Sequence, residues 1–200
     1  IALDWRACRR SLTEWRRSLF SVSLDRGSER LTFALLMFVI GMHWLLVLKP
    51  EKSADGLAMH LAIPAKLASQ HYLPFEPNLY MWAVMPMAAD FSYSIVYILG
   101  GEFAARLVVY AMLLAVCTLL YCALRRWTSP TAAYLLTAAF AATPIVQLVT
   151  GALFVENFLA AMIFGVVTAI WRFGDTGERR YFYLAMALGV SERLRGTYGL

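Results

Sequence analysis

Charge is scarce in this sequence. Only 16% of its 200 residues are Asp, Glu, Lys or Arg and 60% are hydrophobic, whereas about a quarter of a soluble domain is charged. The apolar residues lie in long unbroken blocks without strand or amphipathic-helix alternation, which marks membrane spans and excludes a single soluble core. Cysteine is also sparse. Cys117 and Cys122 lie inside an apolar block and Cys8 in an Arg-rich arm, so no disulfide framework is expected and all three read as reduced. A cleavable signal peptide is missing: the first apolar block, near Leu31, is too long for a signal core and has no small-residue cleavage site after it. Zinc-type spacing of Cys and His, a phosphate-cradling glycine loop and a Ser-His-Asp order are all absent, which counts against a cytoplasmic nucleotide-sugar enzyme.

What charge there is falls in telling places. Seven of the eighteen basic residues sit in the first thirty positions, as Arg6, Arg9, Arg10, Arg16, Arg17, Arg26 and Arg30, so the net charge of +5 belongs to an arm rather than to a nucleic-acid surface. Asp4, Glu14, Asp25 and Glu29 are interleaved with it. Residues 5–20 read either as a basic amphipathic helix on an anionic leaflet or as a cytoplasmic tail without fixed structure. The chain begins at Ile1 and stops at Leu200 inside an apolar segment, so both ends read as cut.

The pattern predicts an all-α polytopic membrane protein with about five transmembrane helices. After the basic arm, residues 1–30, the spans are expected at 31–48, 103–124, 131–149, 157–171 and 181–200, each close to the ~20 residues a bilayer demands. Lys49-Pro50 closes the first, Arg125-Arg126-Trp127 the second, and the third contains Pro144. A polar turn from Gly174 to Arg180 precedes the fifth. Residues 79–99 are apolar enough to cross, but Pro86 and Asp90 interrupt them. If they do not cross, the arm, the Arg125-Arg126 turn and the Arg172–Arg180 turn share one side, as the positive-inside rule requires. Residues 79–99 are therefore expected as a juxtamembrane or re-entrant helix within an external loop from 49 to 102, with the N-terminus cytoplasmic. Trp44, Trp82, Trp127 and Trp171 fall near span boundaries and read as the aromatic belt.

A loop of that length between two spans points to function. Within it Asp55-Gly56 precedes Leu57, Leu61, Ala65 and Ala68 at helical spacing, so Asp55 is placed to cap a surface helix that Pro64 kinks or restarts. Asp55, Met59, Lys66 and Gln70 would share one face of it. The run Asp55-Gly56-Leu57-Ala58-Met59-His60-Leu61-Ala62-Ile63-Pro64-Ala65-Lys66 resembles the first-loop signature of the GT-C membrane glycosyltransferases, and the bacterial protein-mannosyltransferase-like and aminoarabinose-transferase-like branch in particular. Met85-Pro86, Gly100-Gly101-Glu102 to Arg106, Thr143-Pro144 and Glu156 extend the resemblance over most of residues 31–200. Met59 departs from it, standing where the family has an aromatic residue.

The resemblance implies a bacterial inner-membrane enzyme that moves a sugar from a polyprenyl-phosphate donor to a lipid, glycan or protein hydroxyl. Asp55 matches the family's catalytic base, and a carboxylate there can take the proton of the attacking hydroxyl. It also implies that Glu156 orients a hydroxyl, or binds a divalent metal in members that use one, and that His60, Lys66, Arg106 and Arg195 contact substrate; no other cofactor is expected. Plainer readings stand beside these. Asp55 reads as a helix cap, His60 and His43 as packed histidines, Lys66 and Arg106 as snorkelling cations, Glu156 as a macrodipole partner, and Asp90 and Glu102 as solvated loop charges. The rival functions are a transporter or flippase for a lipid-linked or polar solute and a non-catalytic membrane scaffold.

Overall fold

The computed structural model describes residues 27–72 and 88–193. The Arg-rich arm up to residue 26, residues 79–87 with Trp82 and Met85-Pro86, and Arg195 lie outside the described residues. Helices account for nearly all of the rest: α1 (Gly27–Val47), a π turn (Gly56–His60), α2 (Ala62–Gln70), α3 (Ala88–Leu124), α4 (Pro130–Ala141), α5 (Pro144–Gly151), α6 (Glu156–Thr176) and α7 (Arg179–Arg193). Three of them, α1, α3 and α6, are long and apolar enough to cross a membrane, and the bent pair α4–α5 makes a fourth. At ~1.5 Å per residue, the 21 residues of α1 reach about 31 Å, the thickness of the hydrocarbon core. This is an all-α polytopic membrane protein. Its outer surface suits lipid: Leu31, Phe38, Ile95 and Leu99 are among the many large apolar side chains left open.

Named contacts fix which helix ends meet. Ser28 at the start of α1 lies beside Thr131 at the start of α4, and Arg126, between α3 and α4, pairs with Asp175 near the end of α6 at 3.0 Å. The Arg126 guanidinium also lies 4.4 Å from the centre of the Trp171 ring, which packs on Trp127. The start of α1, the Arg125-Arg126 turn and the α6–α7 turn therefore occupy one end of the bundle. At the other end Arg106 bonds the carbonyls of Leu46, Val47 and Gly151. We call this the loop end, since residues 48–72, 88–101 and the 152–155 connection gather there.

Residues 88–99 stay at the loop end. Asp90 bonds His60, and the Tyr93 hydroxyl donates to the carbonyl of Phe154. The α3 axis breaks after them at Gly100 (φ −153°, ψ 19°) and Gly101 (φ 66°, ψ −158°). The second of these conformations is one that side chains with a Cβ rarely adopt. The expected separation between a boundary helix and a span beginning near residue 103 is thus made by two glycines.

Pro144 breaks the next crossing as expected, by a bend of 60° between α4 and α5. Proline has no N–H to offer, and Thr143 before it is extended (φ −64°, ψ 141°). The released carbonyls find other donors, as they must away from water. Phe140 receives the Thr143 hydroxyl at 2.8 Å, Ala142 the Gln147 amide, and Ala141 the Nε2–H of His43 at 2.8 Å. His43 thus packs against a neighbouring helix, as expected, and its buried Nδ1 keeps no hydrogen-bond partner among the described residues.

Two boundaries differ from expectation. Helix α6 runs past Arg172 and Phe173 through Gly174 and Asp175 to Thr176, and ends where Gly177 turns left-handed (φ 67°). A left-handed glycine after the last turn is a stronger stop than the preceding polar residues. The fifth segment starts at Arg179, and fifteen of its residues are described.

The end-to-end arrangement predicts opposite accessibility for the exposed Ser69 and Ser129. With the native cysteines replaced, Ser69→Cys and Ser129→Cys in sealed vesicles should react with an impermeant maleimide from opposite faces. Labelling of both from the same face would contradict the bundle.

Candidate functional site

The loop end is organised by a buried ion pair. Arg106, within the first turns of the spanning part of α3, points inward and is 2% exposed. Its Nη1 donates to Glu51 Oε2 at 2.9 Å, its Nε to the Val47 carbonyl at 3.0 Å, and its Nη2 to the carbonyls of Leu46 and Gly151 at 3.0 and 2.8 Å. Four of the five N–H groups of a guanidinium are thereby engaged. Three of the acceptors are carbonyls in the last turns of α1 and α5, where the helix dipoles are negative. The expectation of an arginine snorkelling outward, or facing a lipid phosphate, meets a side chain already spent on closing two helix ends. Above it a cleft of about 270 Å³ is lined by Val47–Pro50, Glu102, Phe103 and Arg106.

Glu51 completes the junction. Its Oε1 accepts from the backbone N–H groups of Lys52 and Ser53, and its Oε2 from Leu153 as well as Arg106. Burial pushes its carboxyl up, but the hydrogen bonds from Ser53 and Leu153 and the Arg106 charge outweigh burial and hold it below the ordinary value of 4.5. Glu102 accepts the N–H of Glu51. The expectation that Glu102 is a solvated loop charge is therefore corrected: the turn at Lys49-Pro50 brings the Glu51 amide against it. Sequence reasoning passed over Glu51 entirely, although an arginine inside an apolar segment demands an acidic partner.

The Asp55 segment rests on this junction. The N–H of Gly56 donates to Ser53 Oγ at 3.0 Å, and a Cβ at Gly56 would lie 2.5 Å from Ser53 Oγ and 2.6 Å from Glu51 Cδ. Only glycine allows that approach. Asp55 itself is helical (φ −67°, ψ −43°), exposed, and caps nothing, which corrects its reading as a helix N-cap. The helix that follows is wound as a π turn, with the N–H of Leu61 reaching the Gly56 carbonyl at 2.8 Å. Pro64, which has no N–H and crowds the carbonyl four residues back, sits just beyond it, and α2 restarts at Ala62. The expected restart therefore falls at Ala62, two residues before Pro64. In the wider π turn Met59 and His60 flank the position one turn along from Asp55.

His60 is held on two sides. Its Nδ1 lies 2.7 Å from Asp90 Oδ1, with side-chain exposures of 13% and 6%, and its ring meets Phe154 edge-on. The reading of Asp90 as a solvated charge is corrected, because packing of α3 on α2 buries it. Ser94 Oγ donates to the Asp90 carbonyl, and Tyr93, fully buried, ties α3 to the 152–155 connection. Glu156 is exposed in the first turn of α6, a favourable place for an acid beside a helix N-terminus. Lys66 is half-buried on α2. The structure thus places Asp55 and His60 on one stretch of chain and His60 against Phe154; no hydrogen bond or ion pair joins Asp55 to Glu156 among the described residues. No group of three His, Cys, Asp or Glu suited to a metal occurs among them either.

Comparison of the chain with protein-family models, with curated proteins and with solved structures yields no match.

Two outcomes test the junction. Glu51→Gln leaves the buried Arg106 charge without its counterion and should cost about 3–5 kcal/mol of stability. Because the folded carboxyl titrates below its ordinary value, the stability that Glu51 lends is present above that value and is lost as pH falls through its lowered pKa. Thermal unfolding in detergent should therefore show an acid-side loss starting below about pH 4.5 in the wild type that is smaller in Glu51→Gln. Gly56→Ala, measured the same way, should cost about 1–3 kcal/mol through overpacking; unchanged melting would show that the approach at Gly56 is not tight.

Proposed function

We propose that this protein is a membrane glycosyltransferase that takes a sugar from a polyprenyl-phosphate donor and passes it to a hydroxyl of a lipid, glycan or protein, with Asp55 as general base. The observation that carries the reading is the state of the Asp55 carboxylate. It is exposed at the loop end and caps no helix, while the backbone beneath it is pinned through Gly56 to the Glu51–Arg106 junction. A free carboxylate on a rigid element is what proton abstraction needs. The adjoining π turn adds support, since such turns concentrate at functional sites, and the resemblance of residues 55–66 to the first-loop signature supplies the reaction class.

The chemistry proceeds by displacement. The acceptor oxygen attacks the anomeric carbon, the bond from that carbon to the phosphate oxygen breaks, and the lipid phosphate leaves with the electron pair as the hydroxyl proton passes to Asp55. Attack from the face opposite the phosphate inverts the anomeric centre. A site at the bundle end lets the polyprenyl chain remain in lipid while its head group meets water. The gathering of the Arg125-Arg126 and α6–α7 turns at the opposite end, with the start of α1, supports a cytoplasmic placement for that end and an external one for the loop; the inner membrane of a bacterium is what the resemblance implies.

A transporter of a lipid-linked or polar solute is the second reading, favoured by the break at Pro144 and the buried His43 beside it. Membranes carrying the protein, supplied with radiolabelled polyprenyl-phosphate mannose or polyprenyl-phosphate aminoarabinose, separate the two. Glycosyl transfer should move label out of the donor pool onto acceptor, and Asp55→Asn should slow this by about 10²–10⁴-fold. Equal rates for wild type and Asp55→Asn would remove Asp55 as the base, and label crossing sealed vesicles without leaving its carrier would favour transport.

A further inference from the structure

Two opposite charges line one cleft at the loop end without pairing to each other. Lys49 and Glu102 both border the space of about 270 Å³ beside the Arg106 junction, where Arg106 itself is already neutralised by Glu51. Lys49 is exposed, and its ammonium has no partner among the described residues. Glu102 is half-buried: its Oε1 takes the N–H of Glu51, while its Oε2 has no hydrogen-bond partner among the described residues. We propose that this cleft seats the head group of a phosphatidylethanolamine from the surrounding leaflet, its ammonium on Glu102 and its phosphate on Lys49. The proposal stands independently of the transferase reading.

The depth of the cleft suits a lipid head group. Lys49 follows the end of α1 by two residues, and Glu102 directly follows the Gly100-Gly101 break from which the spanning part of α3 begins. Both therefore lie where the apolar segments give way to polar chain. Trp44 meets Phe103 edge-on there, with ring centres 6.4 Å apart, as aromatic rings gather at head-group level. Leu48 and Phe103, which also line the cleft, are exposed and offer apolar surface to the glycerol and the first acyl carbons. The volume falls below the ~300–1,000 Å³ of clefts that take drug-sized ligands, so a small head group fits it.

Charge selects among the common phospholipids. A lone lysine at this level would be an ordinary snorkelling cation. The half-buried carboxylate in the same cleft is what calls for a cationic donor, since a charge withdrawn from water needs a partner. A primary ammonium donates a charge-assisted hydrogen bond to a carboxylate, and a phosphate accepts one from a lysine. Phosphatidylcholine has no N–H to donate, and phosphatidylglycerol brings a phosphate with no cation for Glu102.

The test measures which lipids the full chain retains. Protein exchanged through mixed micelles holding equal amounts of dioleoyl phosphatidylethanolamine, phosphatidylcholine and phosphatidylglycerol is repurified, and its bound lipid is counted by mass spectrometry. Phosphatidylethanolamine should be enriched about 10-fold over the other two. Glu102→Gln keeps an oxygen for the Glu51 N–H but loses the charge, and should abolish the preference over phosphatidylcholine. Lys49→Gln should lower retention of phosphatidylethanolamine by about 2–5-fold. Lys52→Gln, at an exposed lysine outside the cleft lining, should leave it unchanged. Equal retention of the three lipids by the wild type, or a preference for phosphatidylglycerol, overturns the proposal. So does an unaltered preference in Glu102→Gln. If Glu102→Gln fails to fold, the two lysine variants decide: equal effects of Lys49→Gln and Lys52→Gln mean general surface charge and overturn the site.

Discussion

A cation buried at the end of a helical bundle has to be satisfied in full, and the arrangement of the loop end follows from how Arg106 meets that demand. Its guanidinium draws together the final carbonyls of α1 and α5, the carboxylate of Glu51 and, through that carboxylate, the N–H of Leu153. Each partner comes from a different stretch of chain, so one side chain sets the relative height of α1, α3 and α5 and the path of residues 48–53. Removing a charge from water is expensive, and what repays it here is saturation with donors and acceptors rather than the ion pair alone. The Asp55 segment inherits this rigidity because Gly56 lies against Glu51 and Ser53.

Around that junction the molecule separates two kinds of surface. The flanks of α1, α3 and α6 are apolar and open, as a lipid-facing wall must be. Among the described residues the interior polar groups find partners, the Nδ1 of His43 excepted: Thr137 bonds back to Ala133, Asn157 bonds Thr150, and the His43 Nε2 closes the carbonyl that the break at Pro144 leaves free. Asp55 and Glu156 differ, being exposed at the loop end and without such partners among the described residues. The proposed transferase reading rests on that contrast between partnered interior groups and open carboxylates.

The helical membrane architecture was legible because it depends on local composition. Apolar blocks of bilayer length, Pro144 inside one of them and the Arg-rich turns at their ends place α1, α3, α4–α5 and α6 within a few residues, and the parity of positive turns places residues 88–99 at the loop end. The interior of the site was not legible in the same way. Glu51 and Arg106 are 55 residues apart and His60 and Asp90 are 30 apart, and nothing in the spacing of charges says which of them meet once helix ends are brought together. Asp90 and Glu102 looked like solvated charges because loops usually expose them; packing of α3 on α2 and the turn at Pro50 bury or engage them instead. The π turn was hidden for a related reason: one added residue per turn leaves no compositional mark, and only Pro64 hints that the regular hydrogen-bond ladder is interrupted there.

The order in which the chain emerges gives the Arg106 junction a role in biogenesis. Leu46, Val47 and Glu51 are all synthesised before Arg106, whereas Gly151 and Leu153 follow it. An arginine leaving the ribosome within an apolar segment can thus be neutralised at once by an acid that has already emerged, and the nascent α1–α3 hairpin can enter the bilayer carrying no net charge at its buried corner. Gly151 and Leu153 then supply the remaining carbonyl and N–H, so the junction is complete only after α5 has been made.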